Sequence, residues 1–124
     1  MENSDFEPIR TFCMSLPGTS EDIKWATNLC MLVEDKMFCV IELDTPHEIT
    51  FKVPADKFDE MLAQPGILPA PYLARAKWVM APHPAYFKMD EWKQHLMSSY
   101  RAILSKLPVK IRKPIEAELE NFSI

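Results

Sequence analysis

Leu29-Cys30-Met31-Leu32-Val33-Glu34-Asp35-Lys36-Met37-Phe38-Cys39-Val40-Ile41-Glu42-Leu43 consists of two apolar runs rich in β-formers, parted by three charged residues. Runs of this length bounded by turn chemistry read as two strands of a hairpin rather than as helix. The pattern continues downstream. Asp44-Thr45-Pro46-His47 carries a proline and reads as a second connection, and Glu48-Ile49-Thr50-Phe51-Lys52-Val53 reads as a third strand. There Ile49, Phe51 and Val53 alternate with Thr50 and Lys52, which puts one face on a core and the other in water. Upstream, Ile23-Lys24-Trp25-Ala26 adds a first short strand after a polar Thr19–Asp22 connection, so the central sequence predicts an antiparallel meander.

The flanks have helical periodicity. Ser4-Asp5-Phe6-Glu7 has the form of a capping box, and Phe6, Ile9, Phe12, Cys13 and Leu16 recur in phase until Pro17-Gly18, predicting a helix over about residues 5–16. Pro54 suits the first position of a short helix with Phe58, Met61 and Leu62 inward, ended by Gln64-Pro65-Gly66. Residues 67–72 read as a proline-punctuated connection and Lys77–Met80 as a last strand. Asp90 is placed to cap a helix lined by Trp92, Leu96, Tyr100, Ile103 and Leu104 that runs to Pro108, and a final helical piece begins near Pro114. Helix, strands, helix, strand and helix in that order predict one α+β domain over residues 1–124, a two-layer sandwich in which helices cover one face of an antiparallel sheet.

Composition narrows the function. Of the residues, 48% are hydrophobic and 26% charged, as in ordinary globular proteins, and no run approaches the roughly 20 apolar residues of a membrane span. The acidic, polar Met1–Asp5 lacks the basic and apolar regions of a signal peptide, and the three cysteines sit among apolar neighbours as reduced core thiols do; the reading is a cytoplasmic protein. His47, His83 and His95 are far apart, with no cysteine within four residues of any, so no metal is expected. With only Gly18 and Gly66, no glycine-rich phosphate loop can form. Paired acids at Glu21-Asp22, Glu34-Asp35 and Asp59-Glu60 fall on turns and an exposed helix face, where solvated charge explains them. No catalytic residue and no cofactor is assigned.

Charge is distributed unevenly. Residues 1–62 hold five cations against thirteen acids, net −8, whereas residues 63–113 hold nine cations against Asp90 and Glu91, net +7. Clustered cations concentrate phosphate-attracting potential, and Tyr72 and Trp78, which flank them, are aromatics of the kind that stack on bases; Trp92, at the head of an apolar stripe, reads as core.

Leu16-Pro17-Gly18-Thr19-Ser20-Glu21, Lys36-Met37-Phe38-Cys39-Val40, Pro71-Tyr72-Leu73-Ala74-Arg75-Ala76-Lys77-Trp78-Val79 and Ser99-Tyr100-Arg101 followed by Lys106-Leu107-Pro108 together resemble the YjbR/MmcQ family of small bacterial proteins, in order and over nearly the whole chain. The resemblance implies a frataxin-like α+β sandwich with β-hairpin wings, and a DNA-binding label. Two features depart from that family. The hairpin tips Glu34-Asp35-Lys36 and Asp44-Thr45-Pro46-His47 are acidic to neutral, which sets carboxylates against phosphates, and Lys77 stands where many relatives carry a histidine before the tryptophan. The leading expectation is a non-enzymatic binding protein whose Arg75, Lys77, Lys110, Arg112 and Lys113 contact DNA phosphates. The alternative is a small-molecule or protein-interaction module without nucleic-acid binding, using a cleft between sheet and helices near Tyr72, Trp78 and His83.

Overall fold

The computed structural model describes residues 5–122. Its elements are α1 (Glu7–Ser15), β1 (Thr19–Lys24), β2 (Asn28–Val33), β3 (Lys36–Glu42), β4 (Ile49–Lys52), α2 (Phe58–Leu62), β5 (Leu68–Pro69), β6 (Trp78–Ala81), α3 (Met89–Leu104) and α4 (Val109–Leu119). The six strands form one antiparallel sheet in the order β1-β2-β3-β4-β6-β5. The α+β architecture and the meander are as the sequence predicts.

Several boundaries differ for local reasons. Ser4 lies outside the described residues, and Phe6 stands at the start of α1 without a side-chain cap. The first strand is not Ile23–Ala26 but Thr19–Lys24. Its polar residues become β1 by pairing with β2 along the whole of Thr19↔Val33 to Lys24↔Asn28, while Trp25 and Ala26, both at positive φ, turn the chain. Arg10 of α1 reaches Glu21 of β1 through two guanidinium hydrogen bonds, 2.7 and 2.5 Å, and fastens this edge to the helix layer. Glu34 and Asp35, at φ 47° and 71°, make the two-residue hairpin turn that the right-handed strand twist favours. The connection at 67–72 contains a two-residue strand, β5, at the sheet's other edge. Lys88, not Asp90, precedes α3, and its backbone N–H donates to the Glu91 carboxylate at 3.1 Å. The last helix begins at Val109, with Pro114 inside it rather than at its start; burial of Ile115 and Leu119 holds the helix through the proline. Gly18 is required where it stands, since at φ +75° a Cβ there would meet Cδ1 of Ile115 at 2.9 Å.

One face of the sheet carries the core. Met31, Cys39, Ile41, Ile49, Phe51, Val79 and Ala81 are fully buried beneath α1 and α3, with Phe51 edge-on to Trp92 at 5.6 Å. Ser99 of α3 is the buried polar stitch between the layers: its hydroxyl donates to the Phe38 carbonyl (2.6 Å) and accepts the Lys52 N–H (3.0 Å). Trp92 donates its indole N–H to the Pro84 carbonyl and Tyr100 its hydroxyl to that of Pro17, so both bury large rings without stranding a donor. No helix among the described residues is long and apolar enough to cross a membrane.

Candidate functional site

Because side chains alternate across a strand, residues between the core positions project to the face that no helix covers. In register across the middle strands these are Asn28 opposite Glu42, Val40 opposite Thr50, and Thr50 opposite Met80. Together with Met37 they floor a cleft of about 760 Å³. The Ala70–Leu73 turn forms one wall and Trp25, at the tip of the β1–β2 hairpin, the other.

Backbone hydrogen bonds fix both walls. Ala70 N–H donates to the Trp78 carbonyl at 3.1 Å, Leu73 N–H to Ala70 at 3.2 Å and Trp78 N–H to Leu73 at 3.3 Å, which pins the turn to the head of β6 and leaves Tyr72 fully exposed at φ 65°. On the opposite side Thr27 N–H donates to the Trp25 carbonyl at 2.8 Å, and Trp25 is 69% exposed at φ 50°. Two aromatic residues in the left-handed region, both exposed and flanking one concavity, are uncommon, because L side chains adopt that region at a cost.

Glu42 and Glu48 supply the polar part of the lining. Burial pushes the Glu42 carboxyl up, but hydrogen bonds from Thr27, the Asp44 amide, Asn28 and the Leu43 amide outweigh it and leave the group below the usual carboxylate range. Asn28 Nδ2 holds one oxygen at 3.0 Å and the Asp44 N–H the other at 3.1 Å. Among the described residues no lysine, arginine or histidine lines the cleft, and neither glutamate has an ion-pair partner.

The residues predicted from sequence distribute as follows. Tyr72 lines the cleft. Trp78 is buried and contributes only the backbone groups that pin the turn, and exposed His83 packs against Tyr86, away from the cleft. The cleft therefore lies on the helix-free face and not between sheet and helices. Arg75 and Lys77 occupy the β5–β6 connection, whereas Lys110, Arg112 and Lys113 are on α4. Lys77, at φ 70°, holds its ammonium 5.0 Å from the Phe58 ring centroid, and Arg112 is engaged by Glu116 at 3.4 Å and the Ser105 carbonyl at 3.3 Å. Lys52 and Lys106 are cations that the sequence did not single out: burial pushes the Lys52 ammonium below its usual range, and the charges of Lys106 and Lys77 push it further. Lys52 also donates to the Ala76 carbonyl.

Sequence reading missed Trp25, Glu42 and Glu48. The available signal was that Val40 and Met80, in register with Thr50, are apolar. Among the described residues no group of three histidine, cysteine or acidic side chains is placed to hold a metal. Cys39 and Cys13 meet in the core, where their mutual hydrogen bond and then burial push the Cys39 thiol well up, away from nucleophilic chemistry.

A model of the YjbR family matches residues 14–102 of the chain. The fold is similar to the crystal structure of a Deinococcus radiodurans protein described by the family-model domain DUF419, with a TM-score of 0.75 and 21% identity over 87% of this chain and 85% of that one. No curated protein matches the chain.

Proposed function

The chain belongs to the YjbR family, and from the geometry of its open sheet face we propose that it is a binding module that receives a small molecule with an apolar body between Trp25 and Tyr72. The observation that carries this reading is the cleft itself. Its volume of about 760 Å³ falls in the range of roughly 300–1,000 Å³ that small-molecule sites occupy, and such sites combine apolar lining with a few placed polar groups. Binding rather than catalysis is assigned because the Glu42 carboxyl is held ionised, below its ordinary range, by four hydrogen-bond donors; a general acid or base at neutral pH needs the opposite shift. Titration with a neutral naphthalene probe, followed by tryptophan fluorescence and by amide chemical shifts at Trp25 and Tyr72, is expected to saturate at one site. Val40→Arg, which puts a long cation on the floor, should abolish that binding while near-UV circular dichroism is unchanged. Non-saturating binding, or equal binding by the variant, sinks the proposal.

A second reading rests on Lys106 and Lys77 lying close enough to Lys52 to add to the effect of burial on its ammonium, a positive spot of the kind that phosphates neutralise, and it retains DNA as partner. The exposed Glu34 and Asp35 at the hairpin tip oppose it, and Lys77 and Lys52 already have partners within the fold. If it holds, fluorescence anisotropy with duplex or single-stranded DNA shows log K falling by about 0.9 per log unit of salt for each neutralised phosphate, and Lys106→Gln reduces the slope by about one phosphate. No binding at low salt ends this reading.

A further inference from the structure

The Glu42 N–H donates to the Glu48 carbonyl at 2.9 Å, which extends the Ile41↔Ile49 register by one pair and sets the two glutamates directly opposite each other on adjacent strands. Both side chains line the cleft, and both are half-buried. Like charges directly opposite on one face repel, and natural sheets usually place a cation or a neutral residue at one of the two positions. Here the row continues across the sheet to Asn28, whose amide satisfies one oxygen of Glu42, and then to Lys24 on β1, which does not line the cleft. The cleft thus has an acidic end with no cation among the described residues that line it, an apolar floor, and two exposed aromatic rings. Carboxylates attract a cation, and ring faces hold one more strongly where water is excluded.

From this juxtaposition, and resting on the binding role proposed above, we infer that the ligand is an organic ammonium compound, its charged head between Glu42 and Glu48 and its apolar body laid over Val40 and Met80 towards Tyr72. The head supplies the missing counter-charge, and the body replaces water on a floor that no helix covers. An anionic ligand of the same shape meets two carboxylates and no cation.

The test uses three probes that share one apolar body, 2-(1-naphthyl)ethylammonium, 2-(1-naphthyl)ethanol and 1-naphthylacetate, each titrated into the full chain by calorimetry. The expected order is ammonium, then alcohol, then carboxylate, with the ammonium about tenfold tighter than the alcohol, the size of one partly desolvated cation contact. Glu48→Gln should erase most of that preference without weakening the alcohol, and should leave the urea midpoint of the unliganded protein unchanged. If the alcohol binds as tightly as the ammonium, or the carboxylate binds best, the inference is overturned while the binding role stands. If none of the three binds, both fall.

Discussion

The two faces of the sheet are built from the same strands and differ in what covers them. On one, Phe51 touches Trp92, Phe87 and His95 and is wholly buried. On the other, its neighbour Thr50 lies half-exposed between Val40 and Met80 with no helix above it. The covered face holds the main core; on the open face Cys30, Leu32 and Trp78 are buried too, while Val40, Thr50 and Met80 stay half-exposed as a surface of mixed apolar and acidic chemistry. Apolar residues left facing outward add little to folding, so their presence on the open face is better explained by something they bind.

The sharpest way to break this comparison is to truncate one residue on each face. Phe51→Ala should cost about 3–5 kcal/mol in urea unfolding, because the ring's contacts and the cavity left behind both count. Val40→Ala should cost about 1 kcal/mol or less, since its methyl groups are only partly withdrawn from water. Equal costs would mean that the open face is a second core, and the assignment of a binding role to it would fail.

Ser99→Ala tests the polar stitch of the covered face. It strands the buried Lys52 N–H and removes a donor from the Phe38 carbonyl, for an expected loss of about 1–3 kcal/mol. Hydrogen exchange at the Lys52 amide should accelerate more than at the amides of β1. Uniform acceleration throughout the sheet would place the effect in global stability and not in the α3–sheet contact.

How far these faces could be read from the sequence depends on the range of the interaction that forms each part. The alternation of Ile49, Phe51 and Val53 against Thr50 and Lys52 specifies its own strand, and the stripe from Trp92 to Leu104 its own helix, because both patterns are local. β1 was displaced by several residues because Thr19-Ser20-Glu21-Asp22 has no strand pattern of its own and is extended only by pairing with β2. Pro114 looks like a helix start in sequence because the burial that carries α4 through it, Ile115 beside Gly18, joins residues nearly a hundred positions apart. The site was less legible than the fold for the same reason. Tyr72 stands out beside prolines, but Glu42 and Glu48 become a pair only through the β3–β4 register, and Trp78 needed the loop geometry to show that its ring is buried.

A smaller effect separates the faces by pH. His95 packs against Phe51 and Phe87 at 5.5 and 4.6 Å, and burial, partly offset by Glu91, lowers its pKa from the ordinary 6.5. The folded state then binds a proton less readily than the unfolded chain, so this residue's contribution is complete above pH 6.5 and declines as pH falls from there towards the depressed folded value. His95→Phe should flatten the stability profile in that window. An unchanged slope would show that His95 is not held by the covered face in the neutral form.

The smallest expected effect on stability falls on the open face. Tyr72 is fully exposed at φ 65°, so its ring contributes no burial to folding while its backbone sits where an L residue is disfavoured by roughly 1–2 kcal/mol. Tyr72→Gly removes that penalty but adds the entropy that glycine loses on ordering, of about 0.5–1 kcal/mol, so the unfolding midpoint should stay level or rise slightly. Binding of the naphthyl ammonium probe should nonetheless weaken severalfold, since one of the two rings flanking the cleft is gone. A residue whose loss leaves the fold intact and costs affinity is held in its strained position by function. If stability and affinity drop together, Tyr72 is a structural part of the β5–β6 turn, and the distinction between a face that folds the chain and a face that binds breaks down at that residue.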